Sequence, residues 1–306
     1  MISEYKHKRV TWLDMESPTA EEVKKVMAKY SIHPLVADEL LRPTLRPKAD
    51  YYKDLVYLVL HFPVLKPDGK GFEECEIDFI LSKNFLITVH YKPLISLTEL
   101  GKIFEADAML EDGGLAKNAG ILFFYVIKHL YDISMDYLED LQMQIQEIED
   151  RMFEKKPSQY NLVRKISHVR RDLIDLRRMV QPHKSILGSI EYTCIKFFGK
   201  EFSHYLSRML GEHYKLWNVL ENDQEIVASI QDTNDSILNN WSNEIMKILT
   251  IIAFITFPLT LLSSIFGMNT KYIPIVGLPG DFWIIIGIMI LATVLMFYFF
   301  KKKKWV

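Results

Sequence analysis

Five carboxylates, Glu221, Asp223, Glu225, Asp232 and Asp235, fall in one stretch without proline or glycine. On a single helix they form a solvated face. Repeated around a symmetric oligomer, they become carboxylate rings that concentrate divalent cations. The polar pattern continues into an apolar segment. At about 100° per residue, Asp232, Asp235, Asn239, Met246, Thr250, Ala253, Phe257, Thr260 and Ser264 share one helix face. Small and hydroxyl side chains in an apolar helix suit either close packing or a wet pore. Packing accounts well for Ala253 and Ser264. A pore accounts better for the amide and carboxylate groups that lead into them. No catalytic constellation competes with this stripe. The nine histidines are scattered, with no His-Glu-x-x-His, no Cys-x-x-Cys and no phosphate-cradling glycine loop. Neither an enzyme activity nor an organic cofactor is expected.

The elements that must position the stripe are two apolar runs. Ile248–Phe266 and Phe282–Phe300 carry no charge, and each is 19 residues long. As helices each spans about 28 Å, close to the hydrocarbon thickness of a bilayer. The loop 267–281 between them is too short to be a domain, so the two spans form a hairpin with both ends on one side of the membrane. Lys301–Lys304 and Trp305 follow the second span. Basic residues stay cytoplasmic and an indole suits the interface. Both termini are therefore expected in the cytoplasm, with the loop outside a plasma (inner) membrane. The second span, with Thr293 and Tyr298 as its main polar groups, reads as lipid-facing.

Upstream, residues 1–115 read as an α/β domain. Arg9–Met15 is expected as a strand, and Ser17-Pro18-Thr19 opens a helix over Glu21–Lys29. A second short helix begins at His33-Pro34 and ends near Arg42-Pro43. Tyr51–Leu65 and Phe72–His90 are β-rich around the turn 66–70, with another tight turn at Asn84. Residues 116–199 read as helical. Leu138, Leu141, Ile145, Ile148 and Met152 step by three and four, as do Leu162, Ile166, Val169, Leu173, Leu176 and Val180. With a break at Lys155-Lys156-Pro157-Ser158, this predicts an antiparallel helical hairpin. From Lys200 to Phe266 a helix of about 66 residues would be roughly 100 Å long. Residues 200–247 of it form a cytoplasmic stalk that needs partners, best supplied by copies of itself. The fold class is α+β, with a transmembrane hairpin at 248–300 and a basic tail at 301–306.

The formal net charge of −2 implies no nucleic-acid partner. The polar start, Met1–Val10, predicts no cleavable signal. Cys75 and Cys194 make no disulfide framework, which fits a reducing compartment.

Gly267-Met268-Asn269 after the first span, a short loop, a second span and a Lys-rich end resemble the CorA family of divalent metal-ion transporters. Asn243-Glu244-Ile245-Met246-Lys247-Ile248-Leu249-Thr250 looks like that family's lead-in to its first span, and Phe257-Pro258-Leu259-Thr260 like its mid-membrane Pro-Leu-Thr. His33-Pro34-Leu35, Arg46-Pro47-Lys48 and Asn84–His90 resemble its N-terminal domain. The likeness implies a homopentamer in membrane lipid, with the first spans lining a pore. It implies a selectivity filter at Gly267, Met268 and Asn269 and pore-lining residues Thr260, Leu249, Met246 and Asn243, to which the periodic stripe adds Phe257, Ala253 and Thr250. Asp232 and Asp235 would line the cytoplasmic mouth. The cargo implied is Mg2+, which would also regulate the channel, with Co2+, Ni2+ or Zn2+ as the alternatives. The outer loop departs from the family's Met-Pro-Glu-Leu, with Ile275 at the glutamate position. Arg208 stands where a regulatory aspartate is expected. A membrane-anchored scaffold or sensor without a pore is the rival of another class.

Overall fold

The computed structural model describes residues 2–7, 10–44, 46–66, 71–108, 117–152, 159–269, 271 and 273–303. Turn residues 67–70, the expected break at 155–158, Thr270, Tyr272, Lys304 and Trp305 lie outside the described residues. The chain divides into two compact units, Met1–Ile230 and Gln231–Val306.

The first unit is built on a six-stranded mixed sheet ordered β1-β2-β6-β5-β4-β3. Its strands are β1 (Ile2–His7), β2 (Val10–Glu16), β3 (Lys48–Tyr51), β4 (Leu55–Leu65), β5 (Phe72–Ser82) and β6 (Phe85–His90). β2 runs parallel to β6, and every other pairing is antiparallel. Alternation in β5 suggests a sheet partly open to water, but both faces are covered, and Leu55–Val64 is buried throughout. Helices α1 (Ala20–Tyr30) and α2 (Pro34–Glu39) supply Val23, Val26, Val36 and Ala37 to one face, against Tyr57, Val59, Ile80 and Ile87. α1 starts at Thr19, which exchanges hydrogen bonds with Glu22 in a capping box. Pro18 therefore lies just outside the helix and not in its first turn.

The opposite face packs α3 (Ile95–Ala108), α4 (Ala119–Met152), α5 (Gln159–Val180) and α6 (His183–Ser189). Edge-on ring pairs mark the contact, with Phe79 against Phe123 and Trp12 against Phe104. All the periodic residues expected in the α4–α5 seam are buried, from Leu138 to Met152 and from Leu162 to Val180. Glu147 bonds Lys165 across the hairpin at 2.9 Å. The hairpin's arginines do more than solvate it. Arg178 reaches Glu74 of the sheet at 3.0 Å, and Arg177 bonds Gln224 at 2.9 Å. α7 (Glu191–Phe198) ends at Gly199, whose φ of +89° favours glycine.

Asp78 is fully buried in β5, where it accepts a hydrogen bond from the Tyr91 hydroxyl at 3.1 Å. Burial, and then the charge of Glu76, hold its carboxyl well above the usual range. A carboxyl raised by folding contributes stability below its unfolded value and loses it as pH climbs through the folded value. At pH 7 the native state therefore bears a cost at Asp78. Asp78→Asn keeps an acceptor for Tyr91 and removes that cost. It should raise the melting temperature at pH 7 by about 2–4 °C for each 1 kcal/mol relieved. The gain should vanish near pH 3, where the Asp78 carboxyl is largely protonated in the folded and the unfolded state alike. An equal shift at both pH values in thermal unfolding would show that ionisation is not the cause.

Candidate functional site

Helix α8 (Phe202–Phe266) is continuous for 65 residues, and α9 (Asp281–Lys302) follows the loop between the two apolar runs. Both hold windows long and apolar enough to cross a membrane. Gly211 and Pro258 stand inside α8 without ending it. Removing one N–H at Pro258 frees a carbonyl that a helix bundle can accommodate.

Within the second unit, α8 meets α9 through Phe254 against Phe300, with ring centroids 6.2 Å apart. Ile251 is buried, and Ile255, Pro258, Leu259, Leu262 and Phe266 are half-buried. These residues lie on the side of α8 away from the polar stripe. On the stripe, Phe257 is 73% exposed, and Asn243, Met246, Leu249, Thr260 and Ser264 are exposed. Thr250 and Ala253 are half-buried. Thus the stripe is not what holds α8 to its own hairpin partner.

Its hydroxyls have a defined polarity. Thr250 donates to the Met246 carbonyl at 2.7 Å, and Thr260 donates to the Thr256 carbonyl at 2.9 Å. A hydroxyl has one proton and two lone pairs. Both protons are engaged inside the helix, so each side chain offers acceptors to whatever lies beside it. That suits a cation or its waters.

At the C-terminal end, Gly267 donates to the Ser263 carbonyl at 3.0 Å and Met268 to Ile265 at 3.2 Å. The backbone of Gly267 is not left-handed, so a positive φ is not what calls for glycine there. What constrains it is closeness, since a Cβ would stand 3.2 Å from the Ser263 carbonyl oxygen. Met268 is 54% exposed in the single chain. Asn269 is exposed and lies three residues past the helix end. The residues other than glycine with positive φ are Ser17, Ser31 and Ile275 among those described. Asn269 therefore does not make the left-handed cap for which asparagine is often chosen. In the loop, Gly277 donates to Asp281 at 3.0 Å, and Ile275 holds a strained φ of +78°.

The acidic stretch does not share one face. Asp223 is buried and accepts from Gln142 of α4 at 3.1 Å, with its carboxyl raised by burial. Glu221, Glu225, Asp232 and Asp235 are exposed. No group of three or more metal-ligating side chains is gathered among the described residues of one chain. Arg208 stacks its guanidinium 5.0 Å over the Phe124 ring, a packing role that sequence reasoning missed. Cys75 and Cys194 are buried, and burial pushes both thiols up to about 12.

Residues 7–302 match a family model described as the CorA-like Mg2+ transporter protein. The cobalt/magnesium transport protein CorA of Thermotoga maritima is 27% identical over 300 residues, covering 96% of this chain and 83% of that protein. The complete structure of the CorA magnesium transporter from Methanocaldococcus jannaschii superposes with a TM-score of 0.84 at 20% identity, covering 97% of this chain and 92% of that one. The full-length CmaX protein gives 0.76 at 19% identity, covering 97% and 89%. The two structural likenesses bear on the fold, and they span both the mixed sheet and the apolar helices. With a family match over nearly its whole length, this chain belongs to the CorA-like Mg2+ transporter family.

Proposed function

We propose that the chain is the subunit of a homopentameric magnesium uptake channel. In this reading the α8 stripe lines the pore from Asp232 and Asp235 at the cytoplasmic mouth to Thr260. A ring of Asn269 amides, set by Gly267 and Met268, selects hydrated Mg2+ at the outer end. One observation carries the reading: the stripe faces away from α9, and its threonines present only acceptors. A single helix cannot enclose a pore, so the stripe needs further copies of itself. Transport needs no ATP. Two charges moving inward across about 100 mV gain about 4.6 kcal/mol. A scaffold without a pore would use the small and hydroxyl positions for close packing, which leaves the amide and carboxylate groups that lead into them without a role.

Flux into liposomes tests this. Purified protein should admit Mg2+ along an imposed negative-inside potential and run as a ring of five by mass measurement. A monomer or dimer in lipid, or no flux of any divalent cation, overturns the channel. Cobalt is the second cargo to try, because the Thermotoga maritima relative is named for both metals. Co2+, Ni2+ and Zn2+ in parallel assays rank the alternatives.

Topology gives a sharper test. With both termini inside, Leu278→Cys should react with an impermeant thiol reagent on whole cells. Leu278 is 56% exposed and carries no positive φ, whereas a cysteine at Gly277 would be strained at +97°. The native thiols are buried, so they need not be removed. Labelling of Lys302→Cys in place of Leu278→Cys would invert the orientation.

Gating by cytoplasmic Mg2+ belongs to the same reading. Among described residues one chain gathers no metal cluster, so the regulatory ion would bridge acidic groups on neighbouring subunits. Millimolar Mg2+ should then slow proteolysis of the cytoplasmic unit. Unchanged digestion removes the gating clause and leaves the pore.

A further inference from the structure

An open groove of about 600 Å³ runs between α8 and α9. Phe254 and Pro258 line one side, and Leu295, Phe299 and Phe300 the other, with Lys303 among the lining residues. Its walls are apolar apart from that ammonium. Lys301 and Lys302 are exposed in the last turn of α9 beside it. Cations there complement the negative end of the helix and fix its orientation. Neither role requires an apolar slot alongside Lys303.

We propose that this groove seats an acyl chain of an anionic phospholipid from the cytoplasmic leaflet, with the lipid phosphate on Lys303 and its neighbouring lysines. The inference rests on the membrane orientation proposed above. Depth supports it. From Leu295 to Lys303 the helix rises about 12 Å, close to the thickness of one leaflet's hydrocarbon. The lysine end of the groove then lies at headgroup level and the Leu295 end in the chain region. Direction supports it as well. Phe254 and Pro258 stand roughly 80–120° around α8 from the polar stripe, so the groove opens away from the proposed pore. Charge selects the occupant. A second copy of this chain would bring its own lysine run to the same depth, opposing the first. A phosphodiester brings the missing anion, and its chain brings apolar surface.

The test is native mass spectrometry of the full-length protein offered phosphatidylglycerol and phosphatidylcholine at equal concentration. Phosphatidylglycerol should be retained in at least about fivefold excess, the factor that one lysine contributes near an anionic headgroup. Lys303→Gln should remove most of that excess. Lys301→Gln, whose residue does not line the groove, should remove less. Leu295→Trp fills the groove and keeps every lysine, so it should abolish retention of both lipids. Met296 also lines the groove, so Met296→Trp serves the same purpose should Leu295→Trp misfold. Equal retention of the two lipids overturns the proposal. So does equal loss from the two lysine variants, or full retention in the groove-filling variants, because either leaves only surface attraction. A disulfide between Leu295→Cys copies would name a neighbouring subunit as the occupant and overturn it too. Mg2+ flux in phosphatidylcholine liposomes is measured alongside. Normal flux without lipid preference rejects the groove site alone, and lipid preference without flux rejects the channel alone.

Discussion

Asn269→Gly should abolish Mg2+ uptake and leave the oligomer assembled. Mg2+ holds its waters tightly and dehydrates reluctantly, so a selective first contact must bind the hydrated ion. Amide carbonyls accept hydrogen bonds from that water shell without a charge strong enough to trap the ion. Glycine removes the carbonyls yet suits a chain leaving a helix. The alternative is that Asn269 only terminates α8. The backbone weighs against it, because α8 ends at Phe266 and Asn269 lacks the left-handed φ of a capping asparagine. Losing even one charge-assisted hydrogen bond of about 1.5–3 kcal/mol corresponds to a loss of tenfold or more. Asn269→Asp should behave differently. A carboxylate ring binds the cation more tightly and releases it more slowly, and conduction needs release. Liposome flux with mass measurement of the same samples checks both. Near-normal flux through a well-folded Asn269→Gly ring would return the motif to a structural role.

What the sequence made legible follows from how local each constraint is. The two spans were readable because a bilayer demands length and apolarity in one continuous run, and α8 and α9 meet that demand. The α4–α5 seam was readable because a helix repeats its buried side every three or four residues, and every such residue is buried. β1 was missed. Its side chains alternate half-buried with charged, and its place in the sheet comes from backbone pairing with β2, which no side chain announces. α3 was missed for a related reason. Its burial of Leu97, Leu100 and Phe104 depends on a sheet whose position is set elsewhere in the chain. Asp223 and Arg208 show the same limit at the site. Their charge reads as solvated or ligating, and only the facing Gln142 and Phe124 give them other work. The stripe on α8 was readable as a face because phase along a helix is local. The number of copies in the proposed ring would be set by contacts between chains, which leave no period in one helix.

Leu249→Lys should block divalent flux at least tenfold, and Ile252→Lys should leave it within about twofold of wild type. The two positions are one turn apart and equally exposed in the single chain, at 54% and 53%. On the helix they point roughly 60° apart, with Leu249 on the edge of the polar stripe and Ile252 farther round. A divalent cation about 6 Å from one ammonium meets a repulsion of about 5 kcal/mol at an effective dielectric of about 20. Each 1.4 kcal/mol is tenfold, so a ring of such groups closes the path even if every side chain bends partly aside. Both positions lie near the cytoplasmic end of the first span under the proposed orientation. A lysine there can extend its stem to the interface, which keeps the cost of insertion small. Ile252→Lys therefore controls for insertion and assembly, and Leu249→Lys reports the pore. The pair also separates the channel from a scaffold, because a scaffold has no flux for either lysine to stop. Equal block by both variants in intact rings would mean that the stripe is not the conducting face.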